Sequence, residues 1–136
     1  MRWSGVVFFI SIILSSAASK TASAAPNWAD VYADNNLLSG QALFEMSIEQ
    51  SETAIQLSFD AAYTDAHGAA PDGGGQATIA GKNTLEFKWE DSFKNSGTST
   101  IIRAGDGVIV SMKTTRAVDP RCLVFHGQNM QLKRVK

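Results

Sequence analysis

The side chains able to do chemistry in this chain are few: two histidines, one cysteine and a scatter of carboxylates and bases. His67 sits in the stretch 64–75 with Asp65 two residues before it and Asp72 five after, an oxygen, nitrogen and oxygen set that could meet a cation. The spacing matches neither a calcium loop, with acids at alternate positions, nor a helical two-histidine zinc motif. No metal or cofactor is therefore expected. The stretch, rich in glycine and alanine, reads as a long solvent loop, and long loops on rigid scaffolds are where binding residues collect. Asp65, His67 and Asp72 are candidate binding residues on that ground.

Cys122 and His126 pose a second question, because a thiolate beside an imidazole is a familiar nucleophile. The stretch 121–126 reads as a strand, which puts both on one face with backbones ~13 Å apart, beyond hydrogen-bond reach. No orienting Asn or Asp is recognisable at a fixed offset, and the serine-hydrolase, zinc-protease and phosphate-loop motifs are all absent. The expectation is a non-enzyme whose single cysteine, followed by Leu123, Val124 and Phe125, is a buried thiol, with an intermolecular disulfide as the alternative. A third set, Arg116, Arg121, Lys133 and Arg134, with Arg103, Lys113 and Lys136, could form a basic patch for an anionic envelope component or an acidic protein. Nucleic acid is not expected, since bases interleaved with exposed aromatics are missing.

The elements that must position these residues follow from periodicity. Trp28, Val31, Tyr32 and Leu38 recur at helical spacing behind Asn27, so 27–38 reads as a short helix. After Gly40 the period drops to two. Ile55, Leu57, Phe59, Ala61 and Tyr63 alternate with Gln56, Ser58 and Asp60, the pattern of a half-buried antiparallel strand. Similar strands read over 42–48, 76–80, 85–89, 98–104, 108–116, 121–126 and 130–135, with Asp106-Gly107 marking a hairpin turn. No crossover helix separates any pair. The fold expected is all-β: a small antiparallel meander barrel of about eight strands, or a two-layer sandwich, with a short N-terminal helix and an interior filled by side chains.

The first 24 residues read as a cleaved signal peptide, with Arg2, an apolar run over 6–14 and a small-x-small ending at Ala22-Ser23-Ala24. The run is too short to span a bilayer, so no stable membrane insertion is expected after cleavage. One β-rich domain, 25–136, remains, and its location is periplasmic or secreted. Its charge is unevenly spread. Residues 21–81 hold eight acids and no Lys or Arg, whereas 82–136 hold ten bases against five acids.

A signal segment followed by about 110 residues of short strands resembles the small bacterial envelope β-barrels that include periplasmic lysozyme inhibitors and immunity proteins. Such inhibitors commonly carry a Ser-Gly-containing loop, which Ser39-Gly40 or Ser96-Gly97 matches nominally, and often a disulfide, which one cysteine cannot form. The resemblance implies an exported, non-enzymatic binding or inhibitor domain acting on an unknown protein partner. The other readings are a small-ligand carrier using a barrel mouth lined by Phe44, Phe59, Phe87 and Trp89, and a hydrolase using the His67 loop.

Overall fold

The computed structural model describes residues 27–135. The expected signal peptide and Lys136 lie outside them. Eight antiparallel strands follow one another around a closed barrel: β1 (Asp30–Asn36), β2 (Ala42–Gln50), β3 (Ile55–Tyr63), β4 (Asp72–Gly81), β5 (Thr84–Asp91), β6 (Ser96–Ala104), β7 (Gly107–Arg116) and β8 (Met130–Arg134). Each pairs with the next, and β1 closes the ring on β8 through Tyr32↔Arg134 and Ala33↔Lys133. Alternation dictates the rest. Ala42, Phe44, Met46 and Ile48 on β2 and Ile55, Leu57, Phe59 and Ala61 on β3 point inward, where they meet Leu85, Phe87, Trp89, Ile101, Val108, Val110 and Met112 in one core. The interior is filled by side chains, as strands of this length and number require.

Two elements differ from the sequence reading. The expected helix over 27–38 is strand β1, followed by a single turn, α1 (Leu37–Gly40), in which Leu38 and Ser39 take φ of 53° and 59°. Trp28 and Tyr32, four apart, share a face under either period, so spacing alone could not decide. Barrel closure decides: without β1, both β2 and β8 would end in an open edge. The expected strand over 121–126 is instead a 3-10 helix, Pro120–Phe125, capped by Asp119, whose side chain accepts from the Arg121 N–H. Asp119-Pro120 is a helix start, with a capping acid before a proline whose missing N–H costs nothing at that position. The count of eight stands because β1 replaces the strand lost here.

The long loop is also shorter than its composition suggests. Gly73, Gly74 and Gly75 belong to β4, and a Cβ on Gly74 would fall 2.2 Å from the Leu57 carbonyl oxygen, one on Gly75 2.1 Å from that of Lys88. The glycines let β4 lie tightly between β3 and β5, and the true loop is 64–71. Because the order is a pure meander, the two halves of the sequence are two halves of the wall. β1–β4 and the turns between them carry Asp30, Asp34, Glu45, Glu49, Glu52, Asp60, Asp65 and Asp72 without a single Lys or Arg.

Candidate functional site

β1, β3, β5 and β7 all run toward one end of the barrel, so the connections β1–β2, β3–β4, β5–β6 and β7–β8 gather there. The last of these folds inward. Its 3-10 helix buries Cys122 and Phe125 in the mouth, and the Met112 N–H donates to the Gly127 carbonyl to hold the exit of the turn. Phe125 meets Tyr63 edge-on at 5.1 Å between ring centroids. The end is plugged by the chain itself.

At the centre of the plug His126 Nε2 lies 2.9 Å from Asp91 Oδ2, and neither side chain has any solvent exposure. Asp91 ends β5 and also accepts from the Phe93 N–H, the Asn95 N–H and Asn95 Nδ2, each at 2.9 Å. Burial pushes its carboxyl pKa up. The donors from His126, Asn95 and Phe93 outweigh that and hold it below the usual carboxylate value. For His126 burial is the largest influence and dominates, drawing the imidazole below its usual value against the pull of Asp91. The ring packs against Trp89 at 4.7 Å and Phe59 at 5.7 Å.

On the rim above, a second pair has the same chemistry in the open. His67 and Asp65 are 62% and 69% exposed at the side chain, and His67 Nδ1 is hydrogen-bonded to Asp65 Oδ1, which also accepts from the His67 N–H. The imidazole stacks on Tyr63 at 4.1 Å, and Gly68, at φ +73°, passes beside the same ring. Exposed side chains are normally free to turn, but this one is held by a stack and a carboxylate. The hydrogen bonds from His67 are what lower the Asp65 pKa.

The expected site residues thus divide. Asp65, His67, Asp72, Arg116 and Arg121 all sit at or near the plugged end. Asp72, however, does not join Asp65 and His67. It faces Asp60 across β3 and β4, and Asp60 faces Glu45 across β2 and β3, making a cross-strand row of three carboxylates. Burial and then the neighbouring Asp72 raise the Asp60 pKa. Among the described residues no group of three or more His, Cys, Asp or Glu is arranged to hold a metal ion. Arg121 is paired with Asp119 and lies 5.8 Å over the Phe93 ring.

Among the described residues the expected bases are spread over both ends of the barrel. Arg134 pairs with Asp30, and with Lys133 it lines a groove of about 710 Å³ along the outer wall at the β1–β8 seam. Arg103 donates to the Asn27 carbonyl and covers Trp28 at 4.3 Å, at the opposite end from Arg121.

Neither Cys122 nor His126 is in a strand: Cys122 is in the 3-10 helix and His126 caps its end. His126 Nδ1 has no hydrogen-bond partner, so the thiol is not joined to it. Burial pushes the Cys122 thiol up to about 11, which leaves it inert. Asp91, Asn95 and His126, the best-built polar cluster here, escaped the sequence reading. The Asx-turn spacing of Asp91, Phe93 and Asn95 was a usable signal, but the 35-residue reach to His126 was not. No known protein family matches this chain, and neither a curated protein nor a solved structure matches it significantly.

Proposed function

We propose that this chain is an exported, non-enzymatic binding or inhibitor domain of the bacterial envelope that acts through protein–protein contact at the plugged end. The observation that carries the reading is His67. Its imidazole is exposed yet held in one orientation by Tyr63 and Asp65, so little side-chain entropy remains to be lost when a partner closes over it. The interior, packed with the chain's own side chains, supports contact at the surface over carriage of a ligand at neutral pH. The buried Asp91–His126 pair has no exposure through which a substrate could reach it. A cleaved leader over 1–24 would deliver the domain to the periplasm or beyond.

The test is capture from envelope proteins by the mature chain, 25–136, at low and high salt, with His67→Ala and Asp65→Ala alongside. A protein retained by the wild type and lost at least tenfold by His67→Ala supports the reading. A partner held equally by both variants places the contact elsewhere, and a stoichiometric small molecule co-purifying at neutral pH overturns the proposal in favour of a carrier.

A further inference from the structure

The β7–β8 connection is held on the barrel at both ends through one carboxylate. Before the 3-10 helix, the Val118 and Asp119 N–H groups donate to Asn95 Oδ1 at 2.7 and 2.8 Å, and Asn95 Nδ2 in turn donates to Asp91. After it, His126 meets the same Asp91. Between these two anchors Cys122 and Phe125 are fully buried. His126 carries an unmet need as well. With Nε2–H given to Asp91, Nδ1 is an acceptor buried without any partner. A proton arriving there would create a buried cation whose new N–H has nothing to donate to, which is costly in an apolar setting.

We propose that the segment Val118–His126 is an acid-opened closure, which lifts off the barrel end as a unit in mildly acidic solution and uncovers an apolar site, walled by Phe44, Phe59 and Trp89, for an uncharged apolar ligand. Phe44 and Phe59 stack at 5.6 Å and Phe59 meets Trp89 edge-on at 6.1 Å, so the wall left behind is a continuous aromatic surface. The groups facing His126 are few. Asp91 and Trp89 come from β5 and Phe59 from β3, and on the helix that precedes His126 the buried Cys122 stays neutral because its thiol is pushed up to about 11. Asp119 and Arg121 are tied to each other on the outside of the segment, and His67, hydrogen-bonded to Asp65, stacks on the far ring, Tyr63.

The direction of the pH effect follows from the lowered pKa of His126. Above pH 6.5 the imidazole is neutral whether the segment is closed or open. Below it, the solvated ring of the open form takes up a proton that the buried ring resists, so opening gains up to about tenfold per pH unit.

Hydrogen exchange of the mature chain between pH 7.5 and 5.0, corrected for the intrinsic rate, tests this together with binding of the neutral dye Nile red. The expected result is exchange over 117–129 that accelerates below pH 6.5 while β2 and β3 stay protected, with the dye binding in step. A flat profile, exchange that rises in β2 and β3 at the same pH, or an open segment that binds no dye would each overturn the proposal. In His126→Gln the amide can still donate to Asp91 but does not titrate, so acceleration between pH 7.5 and 5.0 should vanish; an unchanged profile sinks the idea. Should that variant fail to fold, the wild-type exchange and dye profiles decide by themselves.

Discussion

Asp65–His67 and Asp91–His126 are the same two groups in opposite surroundings, one pair on a solvent-exposed rim and the other wholly inside the plug. On the rim, water solvates both partners whether or not they touch, so the pair orients a ring without holding up the fold. Inside, every donor and acceptor left without its partner stays without one, and the pair joins two chain segments 35 residues apart. Identical chemistry thus serves presentation in one place and closure in the other, and solvent access makes the difference.

That contrast can be broken by substitution. Asp91→Ala removes the acceptor of four hydrogen bonds and should cost about 3–5 kcal/mol in urea denaturation, because it leaves buried donors unpaired. A loss below about 1 kcal/mol would mean the plug is not anchored there. Asn95→Ala leaves Asp91 in place but frees the Val118 and Asp119 N–H groups, and should cost about 1–3 kcal/mol by the same measurement.

A pH series sharpens the comparison. The unfolding free energy should fall as pH drops below 6.5, where the unfolded chain protonates His126 and the native one resists. The slope should not exceed about 1.4 kcal/mol per pH unit for that proton. A second decline should begin below 3.8, as Asp91 is protonated more readily in the unfolded state. The smallest effect belongs to the rim. Asp65→Asn should leave the thermal midpoint unchanged, while diethylpyrocarbonate should modify His67 in the native protein and reach His126 only when the plug opens.

Most of the barrel was legible in the sequence because alternation is a local signal. The inward positions of β2, β3, β5 and β7 are readable two residues at a time, and the β2–β3 and β6–β7 hairpins are short enough for their turns to be recognised. The two misread elements are the ones whose state depends on a distant partner. Trp28 and Tyr32 are compatible with helix or strand until β8 arrives to pair with β1. The apolar run after Cys122 resembles a strand until the mouth it fills is present. Asp65 and His67 were found because they are neighbours in the chain, whereas Asp91 and His126 were not.

What the sequence determined by itself was therefore the class of fold and the uneven charge, consequences of residue type and short spacing, while the count of eight strands came out right only because one misread element replaced another. Only the tertiary structure decided that the acidic half stays together as one side of the wall, because a meander closes without interleaving its halves. It alone decided, too, which histidine is presented and which is locked. Burial is a property of the closed barrel, and a buried carboxylate recruits its partner from wherever the chain returns.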